Sequence, residues 1–231
     1  MPAYVVAARM MPQSTTRLQP LICLLLAQLL AMTPLASGRA ATVKLLALGD
    51  SLTAGYGLPH EQGFVAVLQQ AIDKAGLDAR VLDGGVSGDT SAGALARLDW
   101  ALGDAPDAAI VELGGNDGLR GLPPAQMEQN IGAILDRLDR QRIPILLSGM
   151  FAPPNMGAPY GQEFRSVFDR LSRHPGLIYD PFFLQGVATH DDLVQADHIH
   201  PNPAGVVIIV ARLMPAVTRL IARARQQATP K

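Results

Sequence analysis

Ser51 stands in "ALGDSLTAGYGL", Ala47 to Leu58, directly after a short apolar run. A free serine hydroxyl is a poor nucleophile at neutral pH and needs a base beside it. One candidate base lies far downstream, where "DHIHPN" holds Asp197 and His200. A histidine base needs an acceptor for its second ring nitrogen, and Asp197 can supply it. The spacing of three puts Asp197 and His200 on one side of a single turn, with His198 pointing elsewhere. Attack on a carbonyl also creates an oxyanion, which needs preorganised donors. The backbone N–H of Ser51, that of Gly88 in "GGVSGDTSAG" and the side-chain amide of Asn116 in "GGND" are three candidates. A glycine at 88 lets the backbone come close to a reacting oxygen. Taken together, these groups form a hydrolase constellation.

Each motif alone has a plainer reading. A serine at a strand-to-helix junction is commonly an N-cap, accepting a backbone N–H that the helix leaves unpaired. "GGND" is rich in turn formers. "DHIH" fits a surface loop or part of a metal site. No "HExxH" is present, and His60, His174 and His190 read as surface or loop residues, so no metal is expected. The joint appearance of the motifs, in order and each after an apolar run, is much harder to reach by chance.

Those runs define the frame. "VKLLALG", "ARVLDGGV", "AAIVELGG", "IPILLSGM" and "GLIYDPF" read as five strands. Helical patterns lie between them: Phe64–Gly76, the spacing of Leu95, Leu98 and Leu102, Pro124–Arg142, and "GQEFRSVFDRLSRHPG". Val206, Val210, Leu213, Val217, Leu220 and Ile221 give a last helix its apolar stripe. Continuous apolar strands alternating with helices imply a parallel sheet covered on both faces. Ligands then bind beyond the carboxyl ends of the strands, where the motifs fall. Phe151–Phe164 reads as one long irregular segment. With "LRGLPP", Leu119 to Pro124, it is expected to wall an acyl pocket, using Leu119, Phe151, Met156, Tyr160 and Phe164.

The chain has 231 residues and a formal net charge of −1, without the basic stripe of a nucleic-acid binder. Residues 1–40 contain Arg9, Arg17 and Arg39 and no Asp, Glu or Lys. Their basic start, short apolar middle and small-residue end read as a signal peptide, cleaved after Gly38 or Ala40. The run Leu21–Met32 is short for a membrane span, which takes about 20 residues. No stable membrane insertion is expected after cleavage. The sole cysteine, Cys23, leaves with the signal, so a cysteine nucleophile or thiolate metal site is excluded in the exported product. The expected division is a signal peptide, 1–40, and one catalytic domain, 41–231, in the periplasm or outside the cell.

From Val43 to Ile221 the sequence resembles the SGNH hydrolases, or GDSL esterase/lipase family. Ser51 in "GDSL", Gly88 in "SGDT", Asn116 in "GGND" and His200 in "DHIH" match the four residues of that name. "LGDSLTAGYG", "SGDTSAGALARL", "VELGGNDGLRG" and "IHPN" look closest to the bacterial periplasmic branch of acyl-CoA thioesterases, lysophospholipases and arylesterases. The resemblance implies a flavodoxin-like three-layer α/β/α sandwich with five parallel strands. It implies Ser51, Asp197 and His200 as a triad, Ser51, Gly88 and Asn116 as an oxyanion hole, and no metal or organic cofactor. The implied substrate is a small-molecule or lipid ester. The family also includes carbohydrate O-acetylesterases, a second reading. A third is a non-catalytic ligand-binding domain of the same fold, against which the intact residue set argues. The absence of "GxSxG" means that no α/β-hydrolase nucleophile elbow is expected.

Overall fold

The computed structural model describes residue 3 and residues 41–228. The expected signal peptide, residues 1–40, therefore lies outside the described residues except at position 3. The chain runs β1 (Val43–Gly49), α1 (Ser51–Ala54), a 3-10 turn at His60–Gln62, α2 (Phe64–Lys74), β2 (Ala79–Gly85), α3 (Ser91–Ala96), α4 (Leu98–Ala101) and β3 (Ala108–Glu112). It continues with α5 (Gly115–Leu119), α6 (Pro124–Arg140), β4 (Ile145–Ser148), a 3-10 turn at Pro154–Met156, α7 (Ala158–Leu171), β5 (Ile178–Asp180) and α8 (Pro203–Ala228).

The five strands form one parallel sheet in the order β2-β1-β3-β4-β5. This is the flavodoxin-like order of a doubly wound α/β/α sandwich. The chain moves one way from β1 to β2 and the other way from β2 through β5. Right-handed crossovers therefore send α2 to one face and α3, α6 and α7 to the opposite one. α2 packs against α8, and α6 packs between α3 and α7. The central strands are apolar throughout because both faces are covered: Leu45, Leu46, Ala47 and Leu48 of β1 are all buried. The stripe Val206, Val210, Leu213, Val217, Leu220 and Ile221 is likewise buried on α8. That helix is long and apolar enough to cross a membrane, yet this stripe is part of the core.

The pairing register puts the last residues of the strands in one row. Gly49 lies opposite Gly85 and Glu112, Glu112 opposite Ser148, and Ser148 opposite Asp180. The segments that leave this row share one rim. The switch point, where the strand order reverses, lies beside β1, so the residues following β1 and β3 flank the crevice that such sheets offer to ligands.

Two element expectations need correction. The helix expected through Leu95, Leu98 and Leu102 is interrupted at Arg97, which lies outside helical geometry at φ −98 and ψ 6. Arg97 at this break reaches Asp89 and the Gly49 carbonyl. The segment Phe151–Phe164 is not one irregular loop. It contains the 3-10 turn at Pro154–Met156, and α7 begins at Ala158 with Pro159 in its first turn, where proline is well tolerated because the N–H it lacks has no helical partner.

Candidate active site

At the end of β1, Asp50 and not Ser51 caps the short helix α1. The Asp50 carboxylate accepts the Leu52 N–H at 3.0 Å, and Ser51 is the first helical residue. The N-cap reading of Ser51 is therefore corrected. Its hydroxyl is left for another partner, the ring of His200, with Oγ 2.8 Å from Nε2. The other ring nitrogen, Nδ1, lies 2.6 Å from Asp197 Oδ2. A carboxylate only accepts, so Nδ1 carries the proton and Nε2 is the acceptor for the Ser51 hydroxyl. Ser51, His200 and Asp197 thus form one directed hydrogen-bonded chain.

The turn holding Asp197 and His200 is built by Asp197 itself. Its Oδ1 accepts the N–H groups of Ile199 and His200, both at 3.0 Å. Partial burial disfavours its charge, but these two N–H groups and the His200 ring outweigh that and hold its carboxyl down to about 2. Asp197 stays an anion throughout the neutral range. His198 adopts a left-handed φ of 56° and reaches Asp191 instead.

The three expected oxyanion donors lie on segments that leave neighbouring strand ends. Among the described residues, neither the Ser51 N–H nor the Gly88 N–H is taken up by a protein acceptor. Gly88 has a φ of +84°, where a side chain is strained. Its carbonyl accepts Arg120 Nη2 at 2.7 Å, which ties the Gly88 loop to the segment after α5. Asn116, on α5, donates from Nδ2 to Asp50 Oδ2 at 3.0 Å and keeps its second amide hydrogen. Asp117 fixes the other side of α5, accepting the N–H and hydroxyl of Ser91 at 2.8 and 2.6 Å.

Beneath these groups lies a buried acidic pair. Burial pushes the Asp50 carboxyl up to about 6; Asp89 adds to this, while the Leu52 N–H, the Asn116 amide and His200 oppose it. Glu112, at the end of β3, accepts the Thr53 hydroxyl at 2.9 Å. Burial, and then the Asp50 charge, raise it well above the ordinary carboxylate range.

The expected pocket residues divide. Leu119 and Phe151 are exposed apolar side chains, and Met156 is half-buried on the turn facing Gly121. Phe151 opens a groove of about 500 Å³ that continues over Ala152, Pro153 and Gly157 to Arg165. Phe164 is not a wall. It is fully buried and packs against Phe168, with ring centroids 5.7 Å apart. Tyr160 is half-buried, and its hydroxyl donates to the Leu122 carbonyl at 2.8 Å, fastening α7 to the Leu119–Pro124 segment. Both are drawn inward because α7 begins before them.

Several residues at the site escaped the sequence reading. Asp50 and Arg120 are two, although Asp50 is the middle residue of "GDS". Arg97 links Asp89 at 2.6 Å to the Gly49 carbonyl at 3.0 Å, bracing the Gly88 loop against the end of β1. Gln195 Nε2 donates to the carbonyls of Tyr56 and Pro201 at 2.8 and 3.0 Å, joining the segments around Ser51 and His200. The Tyr56 ring lies 4.7 Å from that of His200. Phe182, after β5, stacks on Phe151 at 4.2 Å, and Arg165 sits 5.3 Å from the Phe151 ring centre. None of these pairings has a local signal in the sequence.

A flavodoxin-like sheet with a serine, histidine and aspartate chained at its carboxyl rim defines the class: a serine hydrolase of the α/β/α sandwich type. The GDSL-like Lipase/Acylhydrolase family model matches residues 47–208, and the chain belongs to that family. The chain is 40% identical over 199 residues to Esterase TesA of Pseudomonas aeruginosa, covering 86% of this chain and 98% of that protein. It is 38% identical over 164 residues to Thioesterase 1/protease 1/lysophospholipase L1 of Escherichia coli K12, covering 71% and 77% respectively. It is also similar to the crystal structure of the psychrotrophic esterase EstA from Pseudoalteromonas sp. inhibited by monoethylphosphonate. There the TM-score is 0.72 and the identity 35%, over 78% of this chain and 98% of that one.

Proposed function

We propose that this ester hydrolase works by acyl transfer to Ser51 and then to water. His200 takes the Ser51 proton as the hydroxyl attacks the carbonyl, and donates it to the departing alcohol or thiol. Water, deprotonated by His200, then releases the acid. Asp197 holds the His200 tautomer that makes Nε2 the base. The oxyanion faces the N–H groups of Ser51 and Gly88 and the free amide hydrogen of Asn116. The observation that carries this reading is the Ser51–His200–Asp197 chain, at 2.8 and 2.6 Å. Replacing Ser51 by Ala is expected to abolish hydrolysis of p-nitrophenyl butyrate while leaving the fold intact; wild-type turnover in that variant contradicts the reading.

The substrate is a small-molecule or lipid ester with an apolar acyl or aryl group. Leu119, Phe151 and Met156 support this, as exposed or half-exposed apolar side chains beside the rim. The relatives' names cover esters, thioesters and lysophospholipids, and each is an acyl transfer that the same chain of groups can serve. Turnover across p-nitrophenyl esters of rising acyl length is the test: rising efficiency beyond acetyl is expected, and a sharp preference for acetyl points instead to an O-acetylesterase. Residues 1–40 are proposed as a cleaved signal peptide, which makes the product periplasmic or secreted. The N-terminus of the exported protein is then Arg39 or Ala41.

A further inference from the structure

We propose that Asp50 is a positioning residue: its buried carboxylate holds one N–H of the Asn116 amide so that the second N–H faces the oxygen of the attacked carbonyl. The proposal rests on the reading of Asn116 as an oxyanion donor.

Three observations carry it. Both Asp50 carboxylate oxygens are committed, Oδ2 to Asn116 Nδ2 and Oδ1 to the Leu52 N–H, each at 3.0 Å. The carboxylate plane is therefore fixed. Asp50 is 1% exposed, so bulk water does not compete for the Asn116 amide from that side. Asn116 belongs to a helix that Asp117 anchors through Ser91, so the backbone is held and only the side-chain torsions need a restraint.

The chemistry of the two groups supplies that restraint. An asparagine amide presents donors on one branch and an acceptor on the other, and turning it over exchanges them. Turned over, Asn116 would set its carbonyl oxygen against the Asp50 carboxylate, two acceptors with no proton between them. Asp50 thus excludes the amide orientation in which an oxygen, and not a donor, occupies the oxyanion-facing place. A neutral amide at position 50 would lose that selectivity, because its own NH₂ could satisfy the flipped form. Capping of α1 does not account for a charged group here. Asn and Ser cap about as well as Asp, without a buried charge.

The test measures steady-state kinetics of Asp50→Asn and Asp50→Ser on p-nitrophenyl butyrate. Each is made alone and combined with Asn116→Ala, with Ser51→Ala as the inactive reference and Tm as the fold check. Each Asp50 variant is expected to lower kcat roughly 10- to 100-fold, part of what losing an oxyanion donor costs. KM is expected to change by about twofold at most, because the effect is specific to the transition state. In the Asn116→Ala background, the same substitutions should lower kcat by no more than about twofold further, because the group through which Asp50 acts is gone. Wild-type kcat in a folded Asp50 variant overturns the proposal, and so does full additivity with Asn116→Ala. Should Asp50→Asn fail to fold, Asp50→Ser decides by the same criteria. Activity remaining in Ser51→Ala would instead remove the acyl-enzyme reading on which the proposal stands.

Discussion

Asp50 titrates differently in the folded and unfolded chain, and the direction is informative. The carboxyl ionises near its ordinary value of 3.8 when unfolded and near 6 when folded. Between these values the folded state binds more protons, so stability falls as pH rises through the window. The cost is complete above about pH 6 and amounts to roughly 3 kcal/mol. Asp89 and Glu112 face Asp50 as acids, while His200, Asn116 and the Leu52 N–H moderate the cost. Asp50→Asn carries no such charge. Its Tm relative to wild type is expected to be several degrees higher at pH 7 than at pH 4, and a gap that does not change with pH contradicts this. Asn116→Ala removes the proposed oxyanion donor and is expected to lower kcat about 10²- to 10³-fold. Ser51, Gly88, Asn116, Asp197 and His200 were legible as candidates because each sits in a short motif whose types have one joint chemical use, and the structure chains Ser51, His200 and Asp197 together. Asp50 was not, because a cap and a nucleophile compete for the same place in "GDS". Only the folded structure decides which side chain turns back to the helix.

At the scale of elements, the informative difference is where α7 starts. The stripe Phe164, Val167, Phe168 and Leu171 is all buried and follows helical spacing. That spacing was present in the sequence, but the "APPNMGAP" run, rich in proline and glycine, hid the start of the helix at Ala158. Phe164 therefore belongs to the core, and Phe164→Ala is expected to cost about 3–5 kcal/mol of stability. Phe151 keeps 45% of its surface. Phe151→Ala is expected to leave Tm nearly unchanged and to raise KM for longer acyl esters more than for acetate. Thermal unfolding and the chain-length series separate the two phenylalanines. The reverse pattern, with Phe164→Ala stable and Phe151→Ala unfolded, contradicts the assignment. Long-range links such as Gln195 to Tyr56 were out of reach, since 139 residues separate the partners and neither type announces the other.

At the scale of the molecule, a parallel sheet turns a linear sequence into one rim. Residues 51, 88, 116 and 197–200 are far apart in the chain, yet each follows a strand or precedes the last helix. The register aligns the strand ends from Gly85 to Asp180. The alternation of apolar runs with helical stripes made this architecture readable, because burial on both faces leaves little choice of residue in the strands. The central claim is that this rim activates a single serine. A fluorophosphonate reacts with an activated serine by losing fluoride and leaving a phosphonyl group on its oxygen. Mass mapping of the labelled protein tests the claim most directly. One adduct per chain, on Ser51 and absent from Ser51→Ala, is the predicted result. An adduct on another residue, or no adduct on a preparation that hydrolyses esters, would contradict it.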